Sequence, residues 1–189
     1  MNRQHRTKLL NHQSRAYHEG VVEFINQEWT FFNDLTDEAS SLDDFLHQEV
    51  EINRNNRWRK GLLMEEGAVK LSKEVVYLYD QEEIKIKKHL QYSFDQLLDD
   101  LHDDSFFQFV MTLNSLHFSI YDCIYGYNQL TFLENEPNKS GANFFIFDNE
   151  KDICSVQHHF VYSSQKHDRF EFTLNNGKRI IIEKLNSSK

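Results

Sequence analysis

From Phe106 to Ile124 apolar residues recur at steps of three and four: Phe106, Phe109, Val110, Leu113, Leu116, Ile120 and Ile124, with His117 on the same face. That is the period of a helix face. Phe107, Met111, Phe118 and Tyr125 widen the face, leaving Gln108, Thr112, Ser115, Ser119 and Asp122 as a narrow polar stripe. A helix that is apolar nearly all round is usually buried. The pattern therefore predicts one central helix from Asp104 to about Tyr125, roughly 30 Å long at 1.5 Å per residue. It would sit between two layers of structure, or turn one flank to a second copy of the chain. Ser105 and Gln108 fit a capping box, and Asp103 and Asp104 put negative charge at the positive helix start. Gly126 reads as the stop.

The flanks alternate at shorter period. Arg15 to Phe24 and Trp29 to Asp34 read as paired strands, rich in aromatic and β-branched residues, around a turn at Asn26-Gln27-Glu28. Ser40 and Ser41 are caps for a helical turn through Leu42 and Phe45. Short apolar runs follow at Val50–Ile52, Trp58–Met64, Ala68–Leu71, Val75–Tyr79 and Ile84–Lys88. Six or seven short strands in so few residues predict a small barrel or a strongly bent sheet. Ser93 caps a short helix through Phe94, Leu97, Leu98 and Leu101. Gln129–Leu133 reads as a strand. Pro137, the single proline, marks a loop or seam over 134–141. Strands then return as a meander: Asn143–Asp148, Ile153–Tyr162, Arg169–Leu174 and Lys178–Leu185. The last turn has two readings. A three-residue loop Asn175-Asn176-Gly177 sets Phe172 against Ile180 and Phe170 against Ile182. A two-residue loop would set Phe170 against Glu183. Apolar on apolar selects the first. Residues 1–13 are polar and read as a short helix or a frayed arm.

The fold expectation is α+β: an N-terminal β-rich small barrel or bent sheet, a central buried helix, and a C-terminal antiparallel β-meander. The natural division is 1–92 and 93–189, packed as one body or as two domains. With 16 Phe and 8 Tyr the chain has ample material for a core. No apolar run approaches the roughly 20 residues of a membrane span, and the segment 1–15 lacks the apolar centre of a secretory signal. Two isolated cysteines, Cys123 and Cys154, make no disulfide framework and suit a reduced, cytoplasmic protein. The net charge of −9 is uneven: −3 over 1–92, −8 over 93–137, where there is no Lys or Arg, and +2 over 138–189. An acidic middle repels phosphates, which makes nucleic acid an unlikely partner there.

The chemistry is sparse. Asp99 and Asp103, with His102 near them, would lie one helical turn apart and could share a hard cation. They also fit a solvated acidic corner before a helix, and no EF-hand spacing is present. His158 and His159, adjacent in a strand, point to opposite faces and cannot readily share a metal. His47 and Glu49 share a face without a third ligand. His117, on the apolar helix face, reads as a hydrogen-bonded core residue. No HExxH, paired CxxC, GxSxG or glycine-rich phosphate loop occurs. No residue is assigned a catalytic, cofactor-binding or metal role, and no cofactor is expected. The one basic-aromatic cluster is Arg54, Arg57, Trp58, Arg59 and Lys60. On a barrel such a cluster can hold single-stranded nucleic acid. The alternation equally fits a half-buried strand with a core Trp58 and arginines neutralised by Glu49, Glu51, Glu65 and Glu66. The reading that fits best is a non-enzymatic protein-interaction or self-associating module, with 54–60 as its partner surface. The alternatives are a metal-dependent hydrolase and a single-stranded nucleic-acid binder.

Overall fold

A computed structural model of the protein describes residues 3–187. Residues 1 and 2 of the expected N-terminal arm lie outside the described residues. The chain is α+β with two antiparallel sheets, of eight and five strands. It divides into two compact units, Ala16–Lys88 and the segment ending at Arg15 together with the chain from His89 on. In sequence, one unit is inserted into the other.

The Ala16–Lys88 unit is a bent sheet, not a closed barrel. Its strands are β1 (Tyr17–Ile25), β2 (Glu28–Asn33), β3 (Ala39–Ser41), β4 (Glu49–Arg54), β5 (Arg57–Leu63), β6 (Ala68–Lys70), β7 (Val75–Tyr77) and β8 (Glu82–Lys87). The order is β3-β2-β1-β8-β4-β5-β6-β7. The strict alternation of Ile84 and Ile86 decides the register: Ile84 lies opposite Ile52 and Ile86 opposite Val50, all fully buried. Both hairpins at its tips use left-handed pairs, Asn26-Gln27 and Asn55-Asn56. Such turns match the twist of the strands they join, and asparagine tolerates the conformation best after glycine. Ser41 caps the 3₁₀ turn Leu42–Phe45 as expected. The core is mainly aliphatic, with Phe31 its one fully buried ring.

The other unit lays helices on a five-stranded sheet. Its elements are α1 (Arg3–Asn11), α2 (Tyr92–Asp100), α3 (Asp103–Ser115), β9 (Cys123–Tyr127), β10 (Lys139–Asp148), β11 (Ile153–Tyr162), β12 (Gln165–Leu174) and β13 (Arg179–Ser187). The sheet order is β13-β12-β11-β10-β9. The core is aromatic: Phe94 of α2 meets Phe145 at 5.2 Å between ring centres, and Phe109 of α3 meets Phe170 at 5.1 Å. The last hairpin has the three-residue loop, with Gly177 at φ +84° and Phe170 opposite Ile182, Phe172 opposite Ile180. Arg6 of α1 explains why the N-terminal segment belongs here. Its guanidinium donates to the Leu98 and Leu101 carbonyls at 2.9 and 2.6 Å and to Asp103 at 2.7 Å. It thus satisfies carbonyls that the end of α2 leaves unpaired and holds the start of α3.

Several expectations around the central helix are corrected. It ends at Ser115, about 20 Å from its start at 1.5 Å per residue. Leu116 caps it, and His117 turns left-handed at φ +66°. Ser119 and Asp122 then form a reciprocal capping box around a 3₁₀ turn, and Cys123–Tyr127 is a strand. The helical period of Leu116, Ile120 and Ile124 is a coincidence of three separate elements. Nor is the helix buried all round: Phe107 and Met111 are exposed, opposite the sheet-facing side. Its start is capped by His102, not by Ser105. Gly126 stops no helix; it lies opposite Phe145 in β9, where an added Cβ would come within 2.6 Å of the Ser93 hydroxyl. Ser93 is inside α2, after the cap Gln91, and donates to the Gly126 carbonyl at 2.8 Å. Gln129–Leu133 is a 3₁₀ helix, not a strand. His117 is exposed rather than core.

Candidate functional site

The most organised chemistry in the molecule is a buried polar cluster on the inner face of the five-stranded sheet. Strand alternation puts Asp168 in phase with Phe170 and Phe172, and His158 in phase with Val156 and Phe160; both are fully buried. Asp168 accepts from three side chains: the Ser105 hydroxyl of α3 at 2.5 Å, the Tyr162 hydroxyl at 2.5 Å and His158 Nε2 at 2.9 Å. On its other side, His158 Nδ1 meets the Asn143 amide nitrogen at 3.0 Å, and the Asn143 oxygen accepts from the Gln129 backbone N–H at 2.7 Å. These bonds fix the protons. Asn143 must donate to Nδ1, so the neutral imidazole carries its hydrogen on Nε2 and gives it to Asp168. The imidazole also stacks on Phe170 at 4.3 Å.

The electrostatics agree. Burial lowers the pKa of His158 and outweighs the opposing pull of Asp168. Burial alone would raise Asp168, but the bonds from His158, Ser105 and Tyr162 outweigh it and hold the carboxyl below its ordinary value. Burial and then the Asp168 charge push the Tyr162 phenol upward. The cluster is a carboxylate held among neutral donors. Serine, histidine and aspartate are all present, but Ser105 bonds to Asp168 and His158 Nδ1 is occupied by Asn143. His158 faces no hydroxyl, and a general base acts only within reach of a substrate proton. The geometry ties α3 to the sheet and leaves no face of His158 for a substrate.

The residues singled out from sequence lie elsewhere. Asp99 belongs to α2 and Asp103 to α3, with Leu101 extended between them, so the two carboxylates do not share one helix face. Asp103 pairs with Arg6, and the His102 ring accepts from the Asp104 N–H at 3.5 Å. Among the described residues no group of three His, Cys, Asp or Glu is gathered as a metal site. Burial pushes the Cys123 thiol up to about 12 and Cys154 up to about 11, so neither offers a thiolate at neutral pH. In the 54–60 cluster, Arg54 pairs with Glu82 at 2.7 Å, Arg59 with Glu74, and Lys60 with Glu49 at 2.7 Å. The carboxylates that meet Arg54 and Arg59 are thus not the ones expected; Glu49 pairs with Lys60 and Lys87 instead. Trp58 is not core: it is 42% exposed, with the Lys85 ammonium 4.6 Å above its ring.

A feature missed in sequence lies on the outer face of β9 and β10. Tyr127 stands opposite Phe144 and Tyr125 opposite Ile146, and Phe132 stacks on Tyr127 at 6.2 Å. Tyr125, Tyr127, Phe144 and Phe132 are all exposed, Phe132 by 75%. The sequence pattern hides it, because Tyr125 continues a helical period and Gln129–Leu133 alternates like a strand.

Residues 4–184 match the family described as "Protein of unknown function (DUF2777)". The chain belongs to this family. It is also 29% identical over 178 residues to "Uncharacterized protein YisN" of Bacillus subtilis (strain 168), a match covering 94% of this chain and 90% of YisN. No solved structure matches. The DUF2777 match takes in the buried cluster, the 54–60 hairpin and the aromatic face alike. Among the described residues no helix is long and apolar enough to cross a membrane.

Proposed function

We propose that this DUF2777 protein is a non-enzymatic interaction module that docks a second protein surface on the aromatic face of β9 and β10. The carrying observation is the contiguous row Tyr125, Tyr127, Phe144 and Phe132, exposed on one sheet face. Large exposed apolar patches mark interaction sites, and tyrosine and phenylalanine are enriched in interface centres. The edge beside it is already closed against strand addition, because Gln91, the cap of α2, and Ser93 within it bond the Ile124 and Gly126 carbonyls. Recognition would therefore run through side chains. The enzyme reading has less support, since the buried histidine–carboxylate pair, His158 with Asp168, is sealed. So has the nucleic-acid reading, since Arg54, Arg59 and Lys60 are engaged by carboxylates. Two separate free thiols suit a reducing cytoplasm.

The test compares the wild-type chain with Phe132→Ser/Phe144→Ser. Sedimentation equilibrium reads self-association, and co-purification at matched expression reads a partner. The expected result is a concentration-dependent mass, or a stoichiometric companion, that the double variant loses while its thermal transition stays in place. A monomer at every concentration whose companions are the same in both forms overturns the proposal.

A further inference from the structure

In the Ala16–Lys88 unit a cleft of about 500 Å³ opens beside the β1–β2 hairpin. Phe24 and Trp29 form its aromatic wall, their ring centres 5.2 Å apart. Phe24 is 52% exposed. The indole is seated by the backbone at Gly67, where a Cβ would come within 2.4 Å of its Nε1 and where φ is +70°. A side chain at 67 would push the wall out of place. Around these rings stand Glu28, Asp43 and Glu66, with Gln27 and Ser41, and no Lys, Arg or His lines the cleft. Among the described residues none of the three carboxylates is ion-paired, whereas in the same unit Glu19, Glu49, Glu74 and Glu82 all are.

An apolar wall with an uncompensated acidic rim selects a cation with a flat face. A guanidinium stacks on indole and phenyl rings and presents a planar fork of donors to carboxylates. Ser41 adds a second element, because it ends β3, the edge strand of the eight-stranded sheet, whose far side is unpaired. An extended polypeptide finds backbone partners on such an edge, and a free cation has no use for them. We propose that this cleft docks an arginine side chain of a partner polypeptide lying along β3. The proposal rests on the interaction reading above only for the partner's being a protein; the residues are in the other unit.

The chain has two tryptophans. In a Trp58→Phe background, Trp29 emission reports the cleft alone. The probe is a capped peptide, Thr-Val-Arg-Val-Thr, against the same peptide with neutral citrulline in place of arginine. The expected result is a saturable change in emission with the arginine peptide, weakened by raised salt. The citrulline peptide should bind about tenfold or more weakly, a difference near 1.4 kcal/mol. Phe24→Ala, Glu28→Gln and Asp43→Asn, all at exposed positions, should each weaken binding several-fold with the thermal transition unchanged. Phe132→Ser/Phe144→Ser should bind the peptide as the parent does, which keeps this test separate from that of the aromatic face. Absence of a saturable change at millimolar peptide overturns the proposal. So does equal binding of the citrulline peptide, or binding of free methylguanidine as tight as the peptide's.

Discussion

Asp168 in one unit and Glu82 in the other are both buried carboxylates, and they are held in opposite ways. Asp168 sits in an aromatic core and is held by neutral donors from Ser105, His158 and Tyr162. Glu82 opens β8, an interior strand of its sheet, and is held by a cation. Arg54 binds it through Nε at 2.7 Å and Nη2 at 3.1 Å, and the Tyr79 N–H adds a bond at 2.9 Å. The Arg54 side chain keeps 15% of its surface in solvent, against 4% for Glu82. A neutral donor shell brings no second charge into the core, but it depends on every donor being in place. An ion pair cancels its own charge and leaves the cation a route to water. The buried shell therefore joins distant segments rigidly, and the Arg54–Glu82 pair forgives damage.

Removal separates the two most sharply. Asp168→Ala takes the acceptor away from three buried donors, and each lost bond costs about 1–3 kcal/mol. Shared relaxation reduces the sum, and the expected loss is about 3–5 kcal/mol, a large part of a typical fold's stability. Denaturant unfolding reads it; a loss below that of Glu82→Ala would reverse the comparison. Glu82→Ala should cost about 1.5–3 kcal/mol, the scale of a hydrogen bond to a charged group, because Arg54 can turn outward.

The shells also differ in pH response. The pKa of His158 in the folded protein lies below its ordinary 6.5, chiefly through burial. The unfolded chain therefore takes up a proton first as the pH falls. The stability contributed by a neutral His158 is full above 6.5 and is lost from there down to its folded pKa, at up to about 1.4 kcal/mol per pH unit. Asp168, lowered from its ordinary 3.8 by its three donors against the opposing effect of burial, adds a second loss below that value. His18 of the other unit is also lowered, by burial and then by Lys88, so it titrates in the first window too. The discriminating measurement is the slope of unfolding free energy between pH 6.5 and the acid limb. His158→Gln should flatten it more than His18→Gln, and equal flattening would place the acid sensitivity outside the buried shell.

How much of this was legible depended on the range of the contact involved. The β12–β13 register followed from two local facts, the glycine able to turn left-handed and the Phe/Ile alternation. The bent sheet followed from the spacing of short strands and the alternation at Ile84 and Ile86. The end of α3 was misread because Leu116, Ile120 and Ile124 kept helical period across a turn and into a strand. The sequence did carry a correcting signal, Ser119 three residues before Asp122, which is a capping pattern in the middle of an apparent helix. The buried shell was illegible for a different reason: Ser105 and Asp168 are 63 residues apart. Its trace was phase. A histidine and an aspartate on the inward phase of two strands must find partners, because a buried charge without hydrogen bonds is too costly to keep. Starting β12 at Arg169 cut Asp168 off from that pattern. Alternation does not place Trp58, since an indole under a lysine on a sheet surface shows the same pattern as one in a core.

The smallest effect extends the comparison to a third arrangement, an ion pair in water. Arg59 and Glu74 are paired, yet their side chains are 40% and 54% exposed. In such surroundings the attraction is weakened by solvent and salt, and ordering two long side chains opposes it. Arg59→Ala should therefore cost about 0–1 kcal/mol. The coupling to Glu74, measured by a double-mutant cycle, should shrink further in half-molar salt. Arg54→Ala, in the same hairpin and the same kind of pair, should cost more and depend less on salt, because Glu82 cannot follow its partner into water. Residue type and hairpin are alike at the two positions, so the comparison sets a buried carboxylate partner against an exposed one. If Arg59→Ala matched Arg54→Ala in size and salt dependence, the forgiving character assigned to the Arg54–Glu82 pair would have to come from the hairpin and not from exposure.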